Sequence, residues 1–192
     1  MRLRILRTTI LLLAFVAVAM TLGAVRGAKM AAAAPGNNMR SNAAALQPNS
    51  LCAKSEHIIF SCLSRRSGSK LAKIVSLCAS RDLEKERGYL QYRYGLPGKI
   101  ELEYPSSRTG TQQMFKYTHY MRYRVDLTEI NFEIDGYQYQ VFDDYNGEEK
   151  REIATQGVSV TAPGGAKEVS FACRSNFKAD FSLLDDVLER EQ

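Results

Sequence analysis

Tryptophan is absent from the 192-residue sequence, histidine occurs twice and proline five times. Neither an H-E-x-x-H zinc motif nor a G-x-S-x-G nucleophile elbow occurs, so the commonest metallopeptidase and serine-hydrolase signatures are missing. Acid is missing from residues 1–33, which carry Arg2, Arg4, Arg7, Arg26 and Lys29 and no Asp or Glu. Between them, Ile10 to Val25 is uncharged. It is shorter than the roughly 20 apolar residues of a bilayer span. A basic start, a short apolar run and the A-x-A pattern of Ala31 and Ala33 read as a secretory signal over residues 1–33. Arg26 and Lys29 behind the run leave an uncleaved anchor as the other outcome. No cysteine follows closely enough for a lipid-modified N-terminus.

The formal charge of +5 and pI near 9.0 suggest nucleic acid at first sight. Removing the five cations of residues 1–33 leaves 21 basic residues against 21 acidic ones, and that argument disappears. The balance hides an asymmetry: residues 34–125 hold 15 basic and 6 acidic groups, residues 126–192 hold 6 and 15. If the two sets occupied separate faces, the resulting dipole could orient a partner.

Residues 34–50, rich in Asn, Ala, Ser and Gln, read as a flexible linker, and residues 51–192 as one domain. All four cysteines, Cys52, Cys62, Cys78 and Cys173, fall in that domain with 9, 15 and 94 residues between them. No close C-x-x-C pair is present for zinc, and an even count in an exported chain predicts two disulfides. The pairing stays open. Any pairing that uses Cys173 closes a long loop and contributes on the order of 4 kcal/mol in the chain-entropy model.

Period-two alternation dominates residues 56–173. Ile130, Phe132 and Ile134 precede Asp135-Gly136, and Tyr137, Tyr139 and Val141 follow, which predicts a type I′ hairpin pairing 134 with 137, 132 with 139 and 130 with 141. A second hairpin over 89–104, given a three-residue loop ending at Gly98, pairs 94 with 100 and 92 with 102 and sets Arg93 opposite Glu101 on an exposed face. Met114 to Val125 reads as one long strand. Glu56–Cys62 with Lys73–Ala79, and Gly157–Thr161 with Ala166–Cys173, read as further hairpins. Phe177, Phe181, Leu184, Val187 and Leu188 recur at helical spacing behind Ser175 or Asn176 as N-cap. The fold expected is mainly β: an antiparallel sandwich or barrel of eight or nine strands with one C-terminal amphipathic helix.

The string Leu51-Cys52, Ile59 to Cys62, Val75 to Ser80, Gly88 to Gly95 and Gly98 to Leu102 resembles a group of small exported bacterial proteins. That resemblance implies an envelope setting and four structural cysteines, and it carries no catalytic residue. A more distant, fold-level likeness is to periplasmic lysozyme inhibitors, with Ser67-Gly68-Ser69-Lys70 as the segment similar to their inhibitory loop.

Three chemistries remain to weigh. His119 with a carboxylate would serve a small hydrolase. Asp143 to Glu149 is acidic but has Tyr145 where a calcium loop needs Asp or Asn. Glu101 and Glu103 point outward from a hairpin, a poor place to enclose a sugar. The residues that fit partner binding are Arg65, Arg66, Ser67, Ser69 and Lys70 in the first hairpin loop, with Lys116, Arg122 and Arg124 around Tyr120 on one strand face. The sequence therefore predicts a non-enzymatic binding protein of the periplasm or cell exterior, free of any cofactor or metal requirement, whose partner is a protein or an envelope component and not nucleic acid. An inhibitor or immunity-type partner of a hydrolase fits this description; a small hydrolase and an anchored structural envelope protein are the alternatives.

Overall fold

The computed structural model describes residues 46–65, 69–165 and 167–190. Ten strands follow one another: β1 (Glu56–Ser64), β2 (Lys73–Ser80), β3 (Leu90–Leu96), β4 (Lys99–Tyr104), β5 (Lys116–Arg122), β6 (Val125–Ile134), β7 (Tyr137–Asn146), β8 (Ile153–Thr161), β9 (Glu168–Ala179) and β10 (Glu189–Arg190). They form one open sheet in the order β10-β5-β6-β7-β8-β9-β1-β2-β3-β4, antiparallel except where β10 lies parallel to β5. The mainly β expectation holds. The eight or nine strands become ten, and a single open sheet takes the place of a sandwich or a barrel closed by strand pairing.

The sheet is strongly curled. Five strands separate β3 from β6, and at about 4.8 Å per strand a flat sheet would hold them about 29 Å apart. Yet the rings of Tyr92 on β3 and Phe132 on β6 lie 5.1 Å apart. Tyr104 on β4 stacks on Phe132 at 5.7 Å and meets Phe115 edge-on at 6.2 Å. Curling lets one sheet bury its own concave face, with Phe60, Leu77, Leu90, Phe115, Ile130 and Val141 in a single core.

The β6–β7 hairpin has the expected register: Ile134 faces Tyr137, Phe132 faces Tyr139 and Ile130 faces Val141. Asp135 and Gly136 take φ of +50° and +80°, as the two-residue turn requires. The β3–β4 hairpin differs. Leu96 pairs with Lys99 across a two-residue Pro97-Gly98 turn, and an irregularity between Tyr94 and Gly95 restores the faces, setting Tyr94 opposite Leu102 and Tyr92 opposite Tyr104. Arg93 therefore meets Glu103, not Glu101. The long strand expected over 114–125 is two strands. Arg124, at φ +60°, closes a turn with Tyr123 that no Gly or Asn announces.

No α-helix occurs among the described residues. The strand pairing of β1 with β9 runs to Ala179 and takes in Ser175 and Asn176, the residues expected to cap a helix. What remains is too short for a helix to hold on its own. It forms a 3-10 turn at Ser182–Leu184, followed by the bond from the Leu188 amide to the Leu184 carbonyl. The apolar stripe still reaches the core: Phe181, Leu184 and Leu188 are buried there, and the Phe181 ring stacks on Phe60 at 6.0 Å.

A second layer covers the convex face of β1–β3. Leu46 bridges Ala53, Gln47 donates from Nε2 to the carbonyls of Ala53 and Glu56, and the Leu51 amide donates to Ser76 Oγ. The folded unit thus begins ahead of Leu51, and residues 46–50 belong to it rather than to a linker. The signal reading of residues 1–33 and the rest of the linker lie outside the described residues. Both disulfides form: Cys52–Cys78 ties this layer to β2, and Cys62–Cys173 crosses from β1 to β9.

Candidate functional site

Alternation on five strands, β2, β3, β7, β8 and β9, places an unusual number of tyrosines and valines on one stretch of the concave face. Val75 on β2 is in register with Tyr94 on β3, and Tyr94 with Leu102 on β4. On the facing half, Tyr139 on β7 pairs with Val160 on β8 and Val160 with Val169 on β9, while Val158 pairs with Phe171. Valines across from tyrosines do not fill the space inside the curl. A cavity of about 380 Å³ remains, lined by these residues together with Tyr92, Tyr137, Ala162 and Lys167. Small-molecule sites commonly span about 300–1,000 Å³ and combine an apolar lining with a few polar groups.

The floor is closed and the mouth is open. Val75, Val158 and Tyr92 are at most 3% exposed, whereas Tyr137 and Lys167 stand at the rim. Burial pushes the Tyr92 hydroxyl well above the usual phenol range, with the neighbouring Tyr139 and Tyr94 adding to it. That hydroxyl has no hydrogen-bond partner among the described residues, so it is a neutral donor facing an apolar space. Burial also raises Tyr139, with Tyr137 and Asp135 contributing. Lys73 sits 5.1 Å over the Tyr94 ring and is ion-paired with Glu101.

Beyond the cavity the same concave face turns polar. His119 Nε2 lies 2.9 Å from Asp126 Oδ1, and the Gln156 amide donates to Asp143 at 2.7 Å. Burial raises Asp143, opposed by the Gln156 bond and reinforced by the charge of Asp126. The structure thus gives His119 its carboxylate, but His119 lines neither the apolar cavity nor the polar groove behind it, and no hydroxyl or thiol is bonded to it among the described residues. His57 is different: burial and the charge of Arg81, whose guanidinium lies 3.5 Å from Nδ1, hold its pKa below the ordinary value.

The three strand cations expected to meet a partner are already paired. Lys116 pairs with Glu189, Arg122 makes a two-bond pair with Glu148, and Arg124 lies 3.6 Å from Glu152. Each acid comes from the acidic half of the chain, so pairing across strands cancels much of the charge asymmetry locally. Tyr120, Met121 and Tyr123 remain exposed at the β5–β6 tip. In the first hairpin loop Arg65 is half-buried and Lys70 exposed, while Ser69 Oγ is bonded to the backbone of Leu71. Arg66 and Ser67 lie outside the described residues. The acidic run divides between faces: Asp143 points inward, and Asp144 points to the convex face, where burial, Glu129 and Asp143 push its pKa up to about 6. Glu103 is held by Arg93 at 3.0 Å.

Sequence reasoning missed the cavity because its lining reads as ordinary core. The available signal was the concentration of tyrosines at alternating positions 92, 94, 137 and 139. Lys167 carried no signal of its own. No family model, curated protein or solved structure matches the chain. Among the described residues no helix is long and apolar enough to cross a membrane, and the two disulfides fit an oxidising, extracytoplasmic setting.

Proposed function

We propose that the chain is an exported, non-enzymatic binding protein whose site is the tyrosine-lined cavity inside the curled sheet. The observation that carries the reading is a closed apolar floor combined with an open mouth: an empty apolar space of this size, left by facing valines, is a place for a ligand rather than for chemistry. No group in the lining is poised as a nucleophile with a base beside it. A neutral fluorescent probe, N-phenyl-1-naphthylamine, tests this. It should bind the full chain with enhanced emission, and Val160→Trp, which fills the cavity from a half-buried position, should abolish the signal. Equal signals from both proteins would contradict the assignment.

A second reading, a protein partner such as a periplasmic hydrolase, is favoured by the β5–β6 tip. Met121 is 70% and Tyr123 85% exposed there beside Arg122 and Arg124, and Tyr, Met and Arg are the residues enriched in protein interfaces. Cross-linking from a photoreactive group at position 123 in envelope extract tests it. A stoichiometric hydrolase adduct supports the reading; adducts no different from those of a group placed at Lys150 oppose it.

A further inference from the structure

We propose that the cavity selects a single-chain amphiphile with an anionic head, in the simplest case a medium-chain carboxylate, bound tail-inward with its head at Lys167. This inference rests on the cavity being the binding site and adds the chemical class of what it holds.

The lining sorts by polarity along its depth. The floor residues Val75, Tyr92 and Val158 are apolar apart from one tyrosine hydroxyl, and a charged head placed among them would lose its hydration without a countercharge. A tail belongs there. At the about 30 Å³ that one water molecule occupies in the liquid, the 380 Å³ cavity takes roughly a dozen methylene-sized groups. A lipid with two long chains exceeds that space.

The head must then stay at the mouth, where Lys167 is the one charged residue of the lining. Lys73, Lys116, Arg122 and Arg124 each pair with an acid, whereas Lys167 has no ion pair among the described residues. Glu168, its sequence neighbour, is not its counter-ion: alternation sends Glu168 to the opposite face, where it lines a polar groove with Gln138 and Thr161. Asp135, whose charge is felt at Tyr139, is the acid that opposes an anion from the β6–β7 turn. A carboxylate at the mouth gains a charge-assisted hydrogen bond from Lys167, while an ammonium head meets a like charge.

The test is displacement of N-phenyl-1-naphthylamine from the full chain by laurate, dodecanol and dodecylammonium, all below their micellar concentrations at neutral pH. Laurate should displace the probe at roughly tenfold lower concentration than dodecanol, the size of effect that one charge-assisted bond supplies. Dodecylammonium should be the weakest. Lys167→Met should bring laurate to the level of dodecanol and leave dodecanol unchanged, and Lys167→Arg should keep the preference. Laurate and dodecanol acting equally on the natural protein, or a preference that survives Lys167→Met, would overturn the head-group assignment while leaving the cavity as an apolar site. A probe that does not bind at all would remove both.

Discussion

The guanidinium of Arg93 donates Nη1 to Glu56 Oε2 and Nη2 to Glu56 Oε1, each at 2.7 Å, with the two side chains 2% and 1% exposed. Arg93 also donates to the Leu51 carbonyl at 2.8 Å and to Glu103 at 3.0 Å, while Tyr89 donates its hydroxyl to Glu56. The pair joins β3, β1 and the covering segment in one network, beside the Cys52–Cys78 disulfide. Removing Arg93 leaves the buried Glu56 without its cation, and removing Glu56 leaves Arg93 only the partly exposed Glu103. Glu56→Gln or Arg93→Met should therefore lower stability by about 3–5 kcal/mol. The double variant should lose less than the sum of the two, and urea titrations of all four proteins check it.

Acid should act through the same pair. Burial alone would raise Glu56, but the bonds from Arg93 and Tyr89 and the Arg93 charge outweigh it and hold the carboxyl below its ordinary value. A depressed acid contributes stability that is complete above its unfolded pKa and is lost as pH falls through the folded one. Stability should drop below about pH 4, the range of an ordinary Glu, and Glu56→Gln should flatten that part of the profile. A denaturation series from pH 7 to 3 gives the comparison.

Asp144 has the opposite sign. Its pKa of about 6 lies above the unfolded value, so stability rises as pH falls from above 6 toward 4, and its Oδ1 is buried without a hydrogen-bond partner. Asp144→Asn should raise stability at pH 7 by on the order of 1 kcal/mol, less than the shift alone would give because the site is partly open to solvent. The gain should vanish near pH 4, as thermal melts at the two pH values would show.

The two disulfides should differ in worth. Cys62–Cys173 closes a loop with a sequence separation of 111, Cys52–Cys78 one of 26. In the chain-entropy model they contribute about 4.8 and 3.5 kcal/mol. Paired Cys→Ala variants, compared in urea, should rank in that order.

Much of the fold was legible where turn chemistry and alternation agreed, as at Asp135-Gly136. It was less legible where a short-range signal met a longer-range constraint. The stripe from Phe177 to Leu188 has helical spacing, but pairing of β9 with β1 extends past it, and burial of Phe181, Leu184 and Leu188 is achieved without a helix. Arg93 was expected on an exposed face because alternation says which side a residue takes, not what covers that side. Here residues 46–53 cover it. The cavity escaped for a related reason: Tyr92, Tyr139 and Val160 lie on the apolar faces of their hairpins, and only the curl of the sheet, which brings the Tyr92 and Tyr139 rings to 5.9 Å, decides that space is left beside them.

The assignment of the cavity is tested most directly by NMR of the full chain, with methyl and aromatic resonances followed as laurate is added. The account predicts saturable shifts at Val75, Tyr92, Val158 and Val160, with the polar end around His119 and Asp126 unmoved. Shifts confined to Tyr120, Met121 and Tyr123, or none at the valines of the cavity, would contradict it.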